Sequence, residues 1–148
     1  MRQTLTQTDV RRLLDEPSAS NRKDAALKVA SAYSAEELND DERNIAEDII
    51  RVMTQDAEVR VRAALAENLK AYSGLSHDIA QKLASDVDIV ALPIIQFSDV
   101  LTDDDLLEII RNESTEKQTA VAGRAQVSEQ VSEALVDTGK EEVVATLV

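Results

Sequence analysis

The sequence predicts an all-α protein in which pairs of helices repeat along the chain. Valine and isoleucine recur at helical spacing instead of alternating, which disfavours strands. The chain of 148 residues contains only three glycines, and residues with good helix propensity dominate it. Favourable helix N-caps also recur at a constant interval, since Ser76, Thr102 and Ser128 follow one another at 26-residue spacing.

The first predicted helix lies close to the N-terminus. It runs from about Thr8 to Glu16 and places Val10, Leu13 and Leu14 on one face. Pro17 ends it, because proline cannot continue the helical hydrogen bonding.

Three further helices are predicted before residue 72. The second runs from about Ser20 to Ala32, and the third starts after Asp40 and reaches about Thr54. Asp56 is expected to cap the fourth, which covers Ala57 to Ala71 and precedes a turn at Gly74. The third helix has an apolar stripe at helical spacing: Ile45, Ala46, Ile49, Ile50 and Met53.

From Ser76 onward the chain repeats a helix, a polar break and a second, less polar helix. The second helices are predicted at about 87–97, 115–124 and 140–148. Such a repeating unit indicates a solenoid, since one pair cannot bury its apolar faces without neighbours. We therefore expect a right-handed α-solenoid of helical hairpins (an α-α superhelix). An irregular helical bundle whose spacings agree by chance is the alternative.

One domain is expected over residues 1–148, with irregular N-terminal helices at about 1–39 and repeats at about 40–148. The last helix stays apolar to its end: Val143, Val144, Leu147 and Val148. Solenoids usually close with a polar cap. Such an end is typical of a chain trimmed at its C-terminus, or of a helix that packs on another chain in a homo-oligomer.

Two segments carry a family resemblance. The segment from Asp56 to Ala66 resembles the HEAT-repeat motif, with an acidic turn, Val-Arg and an alanine-rich helix. The run from Val59 to Leu147 is similar to a bacterial family known as domain of unknown function 2336. Its motifs follow in order as LASD, VALPII, LTDDDLL, AGR and ALVDTG. The resemblance implies HEAT-like helical repeats and no established activity.

Few residues have the pattern of a catalytic or metal site. His77 is the only histidine and follows a helix cap, so a solvated side chain is favoured over a ligand or a base. The runs Asp103-Asp104-Asp105 and Asp40-Asp41-Glu42 fit helix first turns better than a cation site. The chain has no cysteine. We predict no catalytic, cofactor-binding or metal-binding residues and no enzymatic activity.

Arg60 and Arg62 are the cations most suggestive of function. One of them is expected to bridge neighbouring repeats by binding a turn carboxylate such as Asp56 or Asp86, because arginine suits bidentate contacts. The other is expected on the concave surface. Arg124 can similarly be held by carbonyls at a helix C-terminus. The candidate partner surface contains these residues: Arg60, Arg62, Glu67, Lys117 and Arg124.

Pro93 lies inside an apolar run from Ile89 to Ile95. Either a helix begins near Leu92, or the proline lies within a helix and kinks it. No function is assigned to it.

The charge is unevenly distributed. The net charge is −13, and residues 1–75 hold 11 basic and 14 acidic residues against 5 and 15 in residues 76–148. This balance disfavours binding to nucleic acid or to anionic membranes. The acidic half is interpreted as a solvated face, with steering of a basic protein segment as the alternative. Without a transmembrane or secretory pattern, a cytoplasmic location is expected.

A non-catalytic module that binds a protein or peptide is the leading hypothesis, because stacked helical pairs present an extended concave surface. The alternative is a HEAT-like nucleic-acid-binding protein or a DNA-glycosylase-type enzyme on the same scaffold. Such enzymes use a basic concave face with aromatic residues, and only Tyr33, Tyr72 and Phe97 are aromatic here. Self-association through the C-terminal helix is a third hypothesis.

Overall fold

The structure, a computed structural model, describes residues 18–148, and the helix predicted at 8–16 lies outside them. Within residues 18–148 the chain forms nine α-helices and no strand, which confirms the predicted all-α class. The helices are α1 (Ala19–Ser34), α2 (Asp40–Met53), α3 (Val59–Leu69), α4 (His77–Ala84), α5 (Asp88–Phe97), α6 (Asp103–Asn112), α7 (Thr115–Ala122), α8 (Glu129–Asp137) and α9 (Glu141–Leu147).

Ser76, Thr102 and Ser128 occupy the N-cap positions of α4, α6 and α8, as predicted. The hydroxyl of Thr102 accepts the backbone N–H of Asp105, and the Asp105 carboxylate accepts the N–H of Thr102, so that α6 begins with a complete capping box. The Ser128 hydroxyl accepts a backbone N–H in the same way. The side chain of Ser76 makes no such bond and instead donates to the Asp78 carboxylate.

The predicted cap of α3 is wrong. The helix begins at Val59, and its N-cap is Glu58, without a side-chain capping bond. Asp56 lies two residues earlier, where its carboxylate accepts the backbone N–H of Glu58 at 2.9 Å. The same carboxylate binds Arg22, so it stabilises a turn and an interhelical ion pair instead of the helix end.

Pro93 lies within α5, which begins at Asp88, so a helix start near Leu92 is wrong. Proline has no backbone N–H, and its position leaves the Ile89 carbonyl without its usual helical donor.

The helices lie in two rows. In the first row, α1, α3, α5, α7 and α9 each pack against the next. In the second row, α2 packs on α1 and α3, α4 packs on α5, and α6 and α8 pack on each other and on α7. One continuous apolar cluster runs through the described residues from Ala26 in α1 to Val143 in α9.

Two arginine–aspartate pairs join the beginnings of consecutive first-row helices. Arg22 in α1 binds Asp56, just before α3, with its Nε 2.8 Å from Oδ2. Arg62 in α3 binds Asp86, just before α5, through two hydrogen bonds of 2.7 and 3.1 Å. Arg62 also donates to the backbone carbonyl of Asp56. The prediction that one arginine bridges neighbouring units through a turn carboxylate is therefore confirmed for Arg62.

Contacts between the N-terminal ends of neighbouring helices continue along the first row. Ser114, the N-cap of α7, lies 3.5 Å from the carboxylate of Asp88 in α5. Lys140, the N-cap of α9, donates from its Nζ to the hydroxyl of Thr115 in α7 at 2.8 Å. Because each contact joins the N-terminal ends of two neighbouring helices, the first-row helices run in the same direction.

The Arg62–Asp86 pair is largely removed from water, with side-chain exposures of 15% and 13%. Burial acts to raise the pKa of Asp86, but hydrogen bonds from Arg62 and from the Val87 backbone outweigh it and lower the pKa below its ordinary value. The Arg62 guanidinium therefore stabilises the ionised form of the Asp86 carboxylate.

We predict that Arg62→Ala destabilises the protein by about 1–3 kcal/mol, because it leaves the shielded Asp86 carboxylate unpaired. Arg60→Ala is the matched control, since Arg60 is an exposed arginine in the same helix, and it should change stability by less than about 0.5 kcal/mol. Urea denaturation followed by circular dichroism measures both. Equal losses in the two variants would contradict the role given to the pair.

Candidate functional site

An exposed apolar stripe runs along α5, in the middle of the first row. The α5 stripe consists of Ile89, Pro93 and Phe97, spaced four residues apart on one side of the helix. Ile89 is 66% exposed and Phe97 is 54% exposed. The other side of α5 buries Val90, Ala91, Ile94 and Ile95 in the core. The stripe is thus the face of α5 that the fold leaves uncovered.

On one side of the stripe, α3 presents Arg60, Ala63 and Glu67, of which Ala63 is half-buried and the two charged residues are exposed. Lys70, just after α3, lies with its Nζ 5.0 Å from the centre of the Phe97 ring. The exposed face of α3 therefore adjoins the α5 stripe.

On the other side, α7 presents Glu116 and Thr119, and Gly123 follows as its C-cap. A Cβ placed on Gly123 would lie 3.6 Å from the side-chain nitrogen of Gln96 in α5. The three helices thus form one continuous surface, which we call the first-row face: Arg60, Ala63, Glu67, Ile89, Pro93, Phe97, Glu116, Thr119 and Gly123.

A groove of about 520 Å³ opens where α5 and α7 end. Phe97 and Asp99 line it from the α5 side, and Gly123 and Arg124 line it from the α7 side. Asp99 is exposed. The groove therefore offers an aromatic ring and a carboxylate side by side at one end of the α5 stripe.

Arg124 is held by the end of α5. Its two terminal nitrogens donate to the backbone carbonyls of Ile95 and Ser98, the latter at 2.8 Å. Burial lowers the pKa of the guanidinium. The prediction that helix C-terminal carbonyls hold Arg124 is confirmed, and the carbonyls belong to the neighbouring first-row helix.

The predicted partner surface does not form one accessible patch. Arg60 and Glu67 are exposed on the first-row face, whereas Arg62 is bound to Asp86. Lys117 is only 4% exposed, so its place on a partner surface is wrong. Its Nζ donates to the Ala84 carbonyl at 3.2 Å and lies 3.4 Å from the carboxylate of Glu113.

Sequence reasoning missed Ile89, Pro93 and Phe97. The spacing of four was available as a signal, but α5 is apolar without a break from Ile89 to Ile95, so the stripe is not set apart from Val90 and Ile94. A helix that is apolar all round is normally packed on every side. Only the arrangement of the neighbouring helices shows which side stays open.

The two remaining aromatic residues are structural. The Tyr33 and Tyr72 rings pack edge to face with centroids 5.2 Å apart, and Arg43 lies over both. The Arg43 guanidinium also donates to the Gly74 carbonyl at 2.7 Å. The Tyr33 hydroxyl donates to Glu47 at 2.6 Å, and burial with this hydrogen bond raises the pKa of Tyr33. The cluster fixes the segment after α3 onto α1 and α2.

His77 is paired across the second row. Its Nε2 lies 2.6 Å from the carboxylate of Asp105 in α6, although Asp78 is the nearer acid in sequence. Asp78 instead binds Arg51 at the end of α2 at 2.8 Å. His77 remains 45% exposed. The histidine thus links α4 to α6 while one side of it faces solvent.

The two acidic runs serve helix starts. Asp105 and Glu42 complete capping boxes at α6 and α2, while Asp103 and Asp104 are exposed. Burial acts to raise the pKa of Asp105, but hydrogen bonds from the Thr102 backbone, His77 and Gln81 lower it to about 2. Across residues 18–148, no group of three or more histidine, aspartate or glutamate side chains is placed to hold a metal ion.

Charge is divided across the first-row face. On the α3 side, Arg60, Glu67 and Lys70 flank the α5 stripe, and Glu67 binds Lys70. On the α7 side, Asp88, Glu116 and Asp99 flank it, because Asp88 lies beside Ser114 and Asp99 shares the groove with Gly123. The stripe therefore separates a mixed edge, where Arg60 lies beside the Lys70–Glu67 pair, from an edge that carries three carboxylates.

Comparison with known protein families gives a match to part of the chain. The sequence profile of DUF2336, uncharacterised proteins conserved in bacteria, matches residues 90–148. The predicted resemblance to this family is thus confirmed over α6 to α9 and most of α5, while the similarity proposed from Val59 onward extends beyond the matched part. No curated protein and no solved structure matches the chain.

Among the helices of residues 18–148, none combines the length and the apolar character needed to cross a membrane.

We predict that the Asp105 carboxylate contributes to acid stability. Its pKa is lowered from 3.8 to about 2 in the fold, so its contribution is present above pH 3.8 and is lost as the pH falls towards 2. Asp105→Asn should therefore unfold more easily at neutral pH and lose less stability between pH 4 and 2 than the wild type. Thermal unfolding across that pH range measures the difference.

The control is Asp104→Asn, at the exposed neighbour in the same helical turn. This variant should lose as much stability between pH 4 and 2 as the wild type does. An unchanged acid response in Asp105→Asn would contradict the assignment.

Proposed function

We propose that the protein is a non-catalytic interaction module that binds a protein partner through the first-row face. The observation that carries this proposal is the α5 stripe, because Ile89 and Phe97 are each more than half exposed. Exposed apolar groups that adjoin one another, rimmed by polar residues, are characteristic of interaction sites. The rim here consists of Arg60, Glu67 and Lys70 on one side and Glu116 on the other.

We also propose that the described helices form a right-handed, HEAT-like α-solenoid. Parallel first-row helices, each packed on the next and backed by a second row, are what a right-handed, HEAT-like α-solenoid requires. In such a protein the row of equivalent helices presents one long surface, which suits a partner that contacts several repeats. A cytoplasmic location is part of the same proposal.

The polar groups that could suggest chemistry have structural partners. His77 is bound to Asp105, Arg43 to Tyr72 and Gly74, and Arg62 to Asp86. These contacts favour a binding role over catalysis. The acidic excess of residues 76–148 also disfavours the nucleic-acid-binding alternative, since phosphate recognition needs cations.

We predict that the double variant Ile89→Asp/Phe97→Asp loses the partner, because two carboxylates replace the apolar contact. The matched control is Val136→Asp, since Val136 is 52% exposed on α8 in the second row. The measurement is quantitative affinity capture from a bacterial lysate with the wild type and both variants as baits.

At least one protein should be retained by the wild type and by Val136→Asp and be absent with the double variant. Circular dichroism should show the same helix content in all three baits. Identical capture profiles for the three would refute a role for the first-row face.

A further inference from the structure

We propose that the partner presents an amphipathic α-helix, with an apolar stripe that covers Ile89, Pro93 and Phe97 and basic side chains along the edge that lies over α7. This inference rests on the proposed function and adds the chemical class of the partner. It follows from the shape of the first-row face and from the division of charge across it.

The shape of the face fits a helix. Phe97 follows Ile89 by eight positions in α5, so the α5 stripe is about 12 Å long, or roughly two helical turns. Its flanks carry small groups, with Ala63 on α3 and Thr119 and Gly123 at α7. The side chains beside the α5 stripe are therefore short on both sides. A helix with apolar residues at positions i, i+4 and i+7 matches a straight apolar line of this length.

The carboxylates on the α7 side of the stripe favour a partner helix with basic residues along the facing edge. Asp88, Glu116 and Asp99 lie along the α7 side of the stripe, at its beginning and at its end. Arg124 shares the groove with Asp99, but both of its terminal nitrogens are already bound to carbonyls. The Asp99 carboxylate interacts electrostatically with the Arg124 guanidinium, and because it is exposed it can still bind a cation of the partner.

The opposite edge attracts the same cations less, because its carboxylate, Glu67, is already bound to Lys70. Arg60 is exposed at the beginning of α3, and Lys70 lies over the Phe97 ring while it binds Glu67. A partner helix with basic residues on one edge only is therefore favoured over one that is basic all round. Complementary charges of this kind set orientation and specificity more than raw affinity.

The experiment uses two labelled peptides of about 14 residues, long enough for nearly four turns. Both carry the same leucine stripe. One has arginine along one edge, and the other has glutamate at the same positions. Fluorescence anisotropy against the full chain measures their affinities. The basic peptide should bind, and the acidic peptide should bind about tenfold more weakly or not at all.

Charge reversal on the protein provides the matched control. Asp99→Lys/Glu116→Lys alters the α7 edge, whereas Asp104→Lys/Glu133→Lys makes the same change in net charge at exposed sites of α6 and α8. The first variant should lose about tenfold in affinity for the basic peptide and gain affinity for the acidic one. The second variant should stay within about twofold of the wild type.

Three results would overturn the inference. Equal weakening in both charge-reversal variants would mean that only the net charge acts. Unchanged peptide binding in Ile89→Asp/Phe97→Asp would place the site elsewhere. A wild-type dimer in sedimentation velocity that Phe97→Asp dissociates would make a second copy of the chain the occupant.

The peptide and capture experiments together distinguish a failure of this inference from a failure of the proposed function. If neither peptide binds the wild type while the affinity capture still depends on Ile89 and Phe97, then the face binds a protein but not a helix of this kind. If the capture also fails to depend on these residues, then the proposed function itself is wrong.

Discussion

Bidentate contacts between an arginine in one first-row helix and a carboxylate in the turn before the next set the geometry of the structure. The Arg62–Asp86 pair is the clearest, with two hydrogen bonds and little exposure of either side chain. Apolar burial is non-directional, so it draws helices together without choosing their direction or register. A shielded ion pair tolerates one arrangement only, because a displaced partner leaves a desolvated charge. In this protein the two pairs join the N-terminal ends of α1, α3 and α5, and they thereby favour the parallel direction of these three helices.

The parallel direction places the exposed sides of α3, α5 and α7 together. Were α5 reversed, Phe97 would lie beside the N-terminal ends of α3 and α7, away from Lys70 and Gly123. The apolar stripe and its two charged edges are therefore a consequence of the stacking contacts. Two arginines that look alike in sequence have different roles for this reason. Arg62 joins α3 to the start of α5 through Asp86, while Arg60, two positions earlier, faces solvent.

Much of the fold could be predicted from the sequence because local signals specify it. The positions of the N-caps Thr102 and Ser128 and the polar breaks between helices depend on residues within one turn, where spacing alone is informative. The errors concern partners that are distant in sequence. Asp56 has the composition of a cap, but Arg22, 34 residues earlier, engages it in another role.

The candidate site was harder to predict for the same reason. Lys117 looks like a surface cation, yet its long apolar stem lies in the interior and its ammonium reaches the Ala84 carbonyl. Phe97 looks like a core residue, yet no helix covers it. Which of the two is exposed depends on how the rows pack, and the pattern along a single helix does not contain that information.

The distance between the two ends of the first row tests the stacking most directly. The chain has no cysteine, so spin labels can be attached to single cysteines introduced at Lys23 in α1 and Glu142 in α9, both of which are exposed. Double electron–electron resonance then measures the separation. Four steps between neighbouring helix axes of about 8–10 Å predict a distance of about 30–40 Å. A distance below about 20 Å would mean that the helices close into a bundle, and it would contradict the stacked row.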